Sequence, residues 1–241
     1  MKNTSKQFLG ILFIAALFTS CSINMLNRVN GNRNVVVKER KLQDSFSGII
    51  VSTGIDVFIS QENTHSITVE ADENLHDIII TEVQNGILKI YSDKNIWRAK
   101  AKKVYVTLEN LALLKATSGS DVRSETIIKT NEISVTATSG ADINIEVEVE
   151  NLETNTTSGA DLIISGTAIN HASNATSGSA IDAYNLKSDN VIVKATSGAD
   201  IRTYASKKIE ARATSGGAIA FKGNPAVVNK KTTSGGSISK N

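Results

Sequence analysis

The sequence predicts an all-β fold, a parallel β-helix whose coils each contain roughly 19–20 residues. Two observations support this prediction. Thr-Ser-Gly recurs seven times, with successive starts 18 to 21 residues apart, and such a repeat is typical of solenoids, whose units bury their apolar faces only against neighbouring units. Between the tripeptides, apolar and polar residues alternate with the period of two that a β-strand requires. The seven tripeptides begin at Thr117, Thr138, Thr157, Thr176, Thr196, Thr214 and Thr233.

The second repeat shows the alternation most clearly, because Ile133, Val135 and Ala137 precede its tripeptide and Ala141 and Ile143 follow it at odd positions. We expect the alternation to pass straight through the tripeptide, so that each serine points inward and each glycine takes an outer corner. The predicted inward serines are Ser118, Ser139, Ser158, Ser177, Ser197, Ser215 and Ser234. The predicted structural corners are Gly54, Gly119, Gly140, Gly159, Gly178, Gly198, Gly216 and Gly235.

The N-terminus predicts export and lipid attachment. Lys2 and Lys6 precede an apolar run from Phe8 to Phe18 that is too short to span a bilayer, so residues 1–20 fit a signal peptide. Cys21 is the only cysteine and follows small residues, an arrangement that resembles a bacterial lipobox. We therefore expect a lipidated Cys21 and a polar, flexible tether over residues 21–34. An ordinary signal peptide with an incidental cysteine stays open.

The rest of the chain, residues 35–241, is predicted to be one β-helix domain of about ten coils, roughly 45–50 Å long at ~4.8 Å per rung. Residues 35–48 would cap its start, residues 49–110 would form irregular coils, and residues 111–241 would form the regular ones. Asn85-Gly86 lies between two apolar runs, which is instead a hairpin signal, so the irregular coils have a competing interpretation.

The repeated Thr-Ser-Gly-Ala-Asp-Ile units, the segment Gly54-Ile55-Asp56-Val57 and the lipoprotein leader resemble a bacterial family of unknown function. It is described as "putative auto-transporter adhesin, head GIN domain". The resemblance covers about residues 40–235, with Asp56 standing where the name-giving motif has Asn. It implies a right-handed β-helix of pectin-lyase shape, no established catalytic residues and a role in adhesion. The handedness comes from the resemblance alone.

Aspartates after the corners could form an outward column that binds Ca²⁺. The candidates are Asp121, Asp142, Asp161 and Asp200. Calcium takes six to eight oxygen ligands, however, and a single column offers few to any one ion. A structural role, in which each aspartate accepts hydrogen bonds from its own turn, is therefore favoured, and we expect neither a metal nor another cofactor.

Tyr184 and Tyr204 lie twenty residues apart, so we expect them to stack outward on adjacent coils, where they could contact a glycan. We assign no catalytic residue. A serine nucleophile would need a basic side chain beside it, and none of the three histidines recurs with the serines of the repeat. The 26 basic and 24 acidic residues nearly balance, which argues against a nucleic-acid partner.

These observations favour a non-enzymatic, lipid-anchored protein of the cell envelope, most simply at the outer membrane, that serves adhesion or scaffolding. A surface glycan or another envelope protein would be its partner. A polysaccharide-active enzyme of pectin-lyase shape and a calcium-dependent binding module remain the alternatives. Whether the domain faces the periplasm or the exterior is left open.

Overall fold

A computed structural model describes residues 28–41 and 44–241. The chain forms a β-solenoid of about seven turns, so the predicted fold class is confirmed and the expected number of about ten coils was too high. Among the described residues the only helical segment is a short 3-10 turn, Glu73–Leu75.

Nineteen strands follow one another within residues 28–41 and 44–241. The strands of the N-terminal part are β1 (Arg28–Asn30), β2 (Val35–Arg40), β3 (Gly48–Val51), β4 (Asp56–Gln61), β5 (Ser66–Asp72), β6 (Ile79–Gln84), β7 (Ile87–Ser92), β8 (Asn95–Arg98) and β9 (Lys102–Leu108). The strands of the repeat region are β10 (Leu113–Thr117), β11 (Asp121–Ser124), β12 (Ile128–Thr138), β13 (Asp142–Thr157), β14 (Asp161–Ala175), β15 (Ala180–Thr196), β16 (Asp200–Thr214), β17 (Ala218–Lys222), β18 (Val227–Thr232) and β19 (Ser237–Lys240).

The repeat region is parallel and stacks in the order of the sequence. β12 pairs with β13, β13 with β14, β14 with β15 and β15 with β16, so that residues one repeat apart lie side by side. Ala137, for example, pairs with Thr156, and Thr156 pairs with Ala175. Equivalent side chains therefore form columns along the solenoid, as the repeat predicts.

The interior of the repeat region is filled by the apolar members of the alternation. Ile143, Leu162, Ile181 and Ile201 are each at most 2 % exposed and occupy one inward column. Because each coil contributes the same branched side chain at the same place, the core continues from coil to coil without a break.

The N-terminal part is built differently. β3 and β4 pair in parallel with β10 and β11 on one side, and with β7 and β9 on the other. The coil formed by β7 and β9 therefore lies outside the coil formed by β3 and β4, although it comes later in the chain. Our expectation of successive coils through residues 49–110 was wrong in this respect.

Antiparallel strands close this end of the solenoid. β6 and β7 form a hairpin around Asn85 and Gly86, both with positive φ, so the hairpin interpretation is confirmed. β5 pairs antiparallel with β9, and β2 pairs antiparallel with β5. These strands cover the backbone edge that a parallel coil would otherwise present to solvent.

The segment that precedes β2 is also attached to this end. β1 pairs in parallel with β8, and the buried Asp72 carboxylate accepts hydrogen bonds from the backbone amides of Arg33, Lys100 and Ala101 at 3.0–3.2 Å. Residues 28–34, which we assigned to the flexible tether, therefore belong to the folded domain. The rest of that predicted tether, together with the signal peptide and Cys21, lies outside the described residues.

Candidate functional site

The Thr-Ser-Gly tripeptides form one continuous edge of the solenoid, which we call the corner ridge. In each tripeptide both the serine and the glycine have positive φ, for example 55° at Ser139 and 68° at Gly140. In all but the last corner, the glycine N–H donates to the serine carbonyl of the next coil, as from Gly140 to Ser158 at 3.2 Å. The predicted corner glycines thus lie in register, and Thr53-Gly54 supplies an additional corner with the same left-handed geometry.

The serines of the tripeptides are exposed, so their predicted inward orientation was wrong. Two successive left-handed residues turn the backbone through the corner and place both the serine and the glycine outside. The strand alternation resumes one residue later, at Ala141 and its equivalents. The buried hydroxyls of the corners belong instead to Ser120 and Ser179, which donate to the carbonyls of Thr117 and Thr176 at 2.8 Å.

The ridge carries a repeated pair of hydroxyl groups. The threonine and serine side-chain oxygens of one corner lie 3.3–3.4 Å apart in four successive coils. Since coils stack about 4.8 Å apart, the pairs form a closely spaced line of hydrogen-bond donors and acceptors. These four pairs are Thr117–Ser118, Thr138–Ser139, Thr157–Ser158 and Thr176–Ser177.

A shallow groove of about 290 Å³ lies on the side of the ridge that precedes the corner. The side chains of Asn155, Asn174 and Lys194 lie along it, together with the threonines of three corners, but most of the surface that lines it is apolar. The Asn174 amide nitrogen donates to the Asn155 side-chain oxygen of the preceding coil at 3.2 Å. A second asparagine ladder runs along the opposite corner of the coil, from Asn190 to Asn170 and from Asn170 to Asn151 at 2.9–3.0 Å.

These asparagine ladders were missed in our reading of the sequence. The signal was present, because Asn151, Asn170 and Asn190 recur at intervals of 19 and 20 residues. Stacked amides can hydrogen-bond between coils while still offering free donors and acceptors to a ligand. The groove therefore combines structural and accessible polar groups.

The aspartate column lies on the other side of the ridge. Asp121, Asp142 and Asp161 occupy neighbouring coils in register, and Asp56 extends the column by one coil beyond our candidates. Asp200 is separated from them, because Ala180 lies between Asp161 and Asp200. Asp182 lies outside this column and pairs with Arg202 at 3.4 Å.

The carboxylates of this column influence one another. Burial, followed by the negative charges of Asp121 and Asp161, raises the pKa of Asp142, while Arg123 partly opposes the increase. Burial also raises the pKa of Asp56, against the effect of Lys102, whose ammonium lies 3.6 Å from the Asp56 carboxylate. Within residues 28–41 and 44–241, no group of three or more His, Cys, Asp or Glu side chains is placed to hold a metal ion.

The two candidate glycan-binding tyrosines are not stacked on one another. The Lys222 ammonium lies 4.2 Å from the centre of the Tyr184 ring, and the Asn241 amide donates to the Tyr184 hydroxyl at 2.7 Å. Tyr204 pairs in register with Lys222 on the next strand. Both tyrosines are half-buried and lie beside a lysine, which differs from the exposed aromatic platform that we expected.

A buried polar cluster lies inside the repeat region, away from the ridge. The Thr154 hydroxyl lies 2.9 Å from Nε2 of His171 and donates to the Ser173 hydroxyl at 2.9 Å. Burial lowers the pKa of His171 to about 4, so the ring is neutral at physiological pH. Its 1 % exposure keeps it away from any external substrate.

The comparisons with known proteins agree with this architecture. A family model described as "Putative auto-transporter adhesin, head GIN domain" matches residues 45–225. The chain belongs to this family. No curated protein matches it.

Solved structures share the fold at low sequence identity. A "putative adhesin" from Bacteroides fragilis has a TM-score of 0.83 at 20% identity, covering 88% of this chain and 100% of its own. A "putative lipid binding protein" from Parabacteroides distasonis has a TM-score of 0.74 at 22% identity, covering 89% of this chain and 99% of its own. A "putative adhesin" from Parabacteroides merdae has a TM-score of 0.74 at 21% identity, with coverages of 89% and 99%.

No helix in the described ranges has the length and apolar character needed to cross a bilayer.

Proposed function

We propose that this protein is a non-enzymatic adhesion or scaffolding protein of the cell envelope, attached to the outer membrane through a lipid on Cys21. Its family and two of the structural relatives above carry adhesin descriptions, which supports a binding role at the cell surface or in the envelope. The ligand would bind along the corner ridge and the groove beside it.

The observation that carries this proposal is the uninterrupted register of the corners. Four successive coils present the same Thr–Ser hydroxyl pair, and polar side chains beside the groove flank the pairs, so the surface repeats at the coil spacing. A ligand with its own repeat, such as a glycan, can engage several equivalent positions at once. Weak individual contacts then add through effective concentration.

Binding of purified protein to a panel of envelope and surface polysaccharides tests the proposal. The variant Thr157→Val with Thr176→Val removes two ridge hydroxyls while keeping the β-branched shape, and we expect it to bind the preferred glycan about tenfold more weakly, at ~0.5–1.5 kcal/mol per lost hydrogen bond. Thr68→Val, on a strand of the N-terminal part, is the matched control. Equal binding by the ridge variant and the control would contradict the proposal.

The same assay separates the two alternatives. Release of shortened or unsaturated sugar products would favour a polysaccharide-active enzyme. Loss of binding in chelator, with recovery in millimolar Ca²⁺, would favour a calcium-dependent module. Protease accessibility on intact cells, compared with lysed cells, then distinguishes a surface adhesin from a periplasmic scaffold.

A further inference from the structure

The β1–β8 pair and its flanks form a small projection at the N-terminal end of the solenoid, which we call the basic ribbon (residues 28–34 and 93–100). Trp97 on this ribbon is 52 % exposed, and the Arg28 guanidinium lies over its ring, 3.9 Å from the centroid. Trp97 is the only tryptophan of the chain. A half-exposed indole is suited to a membrane interface, where its apolar ring and its N–H both find partners.

The charge of the basic ribbon is one-sided. It contains five basic residues and one acidic residue, Asp93, and all six are exposed. The five basic residues are Arg28, Arg33, Lys94, Arg98 and Lys100. The nearby Asp72 carboxylate is buried and already accepts three backbone amides, so it offers no open partner to these cations.

Two of the arginines share a small concavity. Arg33 and Arg98 line a recess of about 230 Å³ together with Asn30, Gly31 and Ala99. Guanidinium groups bind phosphate oxygens in bidentate fashion, so this recess matches the headgroup of an anionic phospholipid. The recess and Trp97 lie on the same ribbon, since Arg98 and Ala99 directly follow Trp97 in the sequence.

The position of Cys21 brings this surface close to a membrane. Only six residues lie between Cys21 and Arg28, and a fully extended chain from one to the other spans at most about 25 Å. Because Asp72 and β8 hold residues 28–34 against the domain, these residues cannot lengthen the connection. A lipid on Cys21 would therefore keep the basic ribbon near the headgroups.

We infer that the basic ribbon is a second membrane contact, in which Trp97 inserts at the interface and Arg28, Arg33 and Arg98 bind the phosphates of anionic phospholipids. This inference rests on the proposed lipid at Cys21. The contact fixes the orientation of the solenoid on the membrane, with its capped end against the lipid and its regular coils extending away. One acyl anchor and one basic, aromatic surface together make a stable and oriented attachment.

The single tryptophan makes the inference directly measurable. Full-length lipidated protein is reconstituted in vesicles of phosphatidylglycerol and phosphatidylethanolamine, with or without bromine on the upper acyl chain. We expect the bromine to reduce Trp97 fluorescence at least about twofold, because an interfacial side chain lies ~5–10 Å into the headgroup and acyl boundary. The triple variant Arg28→Gln, Arg33→Gln, Arg98→Gln should lose this quenching.

A second variant controls for simple proximity to the vesicle. Trp97→Phe combined with Ile192→Trp moves the fluorophore to an exposed position on the side of the regular coils, where the native isoleucine is 58 % exposed. This variant should show no quenching. Quenching that is equal at both positions would overturn the inferred orientation.

Mass spectrometry of the Cys21 peptide separates the two levels of the proposal. A lipidated Cys21 with unquenched Trp97 would overturn the membrane contact and leave the proposed anchored function intact. An unmodified Cys21 would overturn both. Quenching that survives the triple arginine variant would show that phosphate binding by these arginines plays no part.

Discussion

Residues 111–241 and residues 45–110 contain the same left-handed corner but differ in how their strands pair. In the regular coils, each strand pairs with the strand one repeat later, and the contacts are nearly identical from coil to coil. In the N-terminal part, β3 and β4 are inserted between later strands, and antiparallel pairs close the end. Repeated parallel coils extend the solenoid, whereas its N-terminal end is closed by antiparallel strands that do not follow the repeat.

The two regions also differ in where a single residue matters. In the regular coils, equivalent residues make the same stabilising contacts in one coil after another. The N-terminal part depends instead on particular side chains such as Asp72, which joins its own strand to the segments around Arg33 and Lys100. Substitutions should therefore have larger effects at such junctions than at most positions of the repeat. The following predictions test this difference, beginning with the largest effect.

Asp72→Ala should destabilise the protein by about 4 kcal/mol, because it removes a buried carboxylate that accepts hydrogen bonds from three backbone N–H groups, at ~1–2 kcal/mol each. The N–H group of Ala101 is buried, and those of Arg33 and Lys100 are partly buried. Chemical denaturation measures the loss. Asp93→Ala, which removes an exposed carboxylate from the same end, is the control and should change the free energy of unfolding by less than about 0.5 kcal/mol. Similar values for the two variants would refute a junction role for Asp72.

Gly166→Ala should cost about 3 kcal/mol, whereas Gly140→Ala should cost about 1–2 kcal/mol. Both glycines have positive φ, at 109° and 68°. A Cβ atom at Gly166 would overlap the carbonyl oxygen of Val147 on the neighbouring coil, but one at Gly140 would meet nothing within 4 Å. Thermal unfolding of the pair isolates steric overlap between coils from backbone strain, and a reversed order would contradict this explanation.

Acid should weaken the two regions in different pH ranges. Burial lowers the pKa of His171 from its ordinary value of 6.5 to about 4, so the unfolded chain binds the proton more readily than the folded one. Its contribution is complete above pH 6.5 and is lost as the pH falls to about 4, a loss of roughly 3 kcal/mol. Urea unfolding at pH 4.5 and pH 7 should show this loss, and His171→Leu should remove most of it.

Asp72 responds at lower pH. Burial raises the pKa of Asp72, but the amide donors of Lys100, Arg33 and Ala101 together hold it below the ordinary value of 3.8. The stabilisation from this carboxylate is therefore present above pH 3.8 and is lost as the pH falls through the lower pKa of the folded state. Hydrogen exchange near pH 4 should show opening in the coils around His171 while residues 28–34 remain protected.

Ser158→Val should destabilise by about 1–2 kcal/mol, because a β-branched residue is strained at φ 57°. Ser158→Asn should change stability by less than about 0.5 kcal/mol, since asparagine tolerates this conformation. Melting temperatures of the two variants compare backbone strain with loss of the hydroxyl. If both variants lost stability equally, the hydroxyl and not the left-handed backbone would be responsible.

Asp142→Asn should stabilise the protein by about 0.5 kcal/mol or less at neutral pH and low salt, by relieving repulsion from Asp121 and Asp161. The raised pKa means that ionisation of Asp142 costs stability as the pH rises through and above 3.8, so the gain should vanish in acid. Salt near 1 M should remove the part of the gain that comes from repulsion by Asp121 and Asp161, because the Debye length then falls to about 3 Å, and should leave the part that comes from burial. A stability loss confined to calcium-containing buffer would instead indicate an ion in the column.

The sequence predicted the regular coils well because their information is local and repeated. The spacing of Ile143 and Leu162 identifies both the inward column and the register, and each corner glycine marks a bend. The orientation of Ser158 was wrong because alternation was extended through a residue whose backbone is left-handed. The alternation of polar and apolar residues does not reveal the sign of φ, although a Ser-Gly pair at a bend is compatible with positive φ at both residues.

The N-terminal part and the basic ribbon could not be predicted in the same way. Nothing in the neighbourhood of Asp72 in the sequence indicates that Arg33 and Lys100 will donate to it, because those segments meet only in the folded chain. Likewise, Arg28 and Trp97 lie almost seventy residues apart before β1 and β8 bring them together. Only the Asn85-Gly86 turn carried a local signal.

The insertion of β3 and β4 between later strands has a consequence for biogenesis. A chain that folds from its N-terminus exposes both edges of this early coil until β7, β9 and β10 have been added to it. Unpaired strand edges are therefore most open to wrong pairing before β10 has joined the fold. Once β11 has joined the fold, the remaining coils can be added one after another, because the strands of each new coil pair with those of the coil just completed.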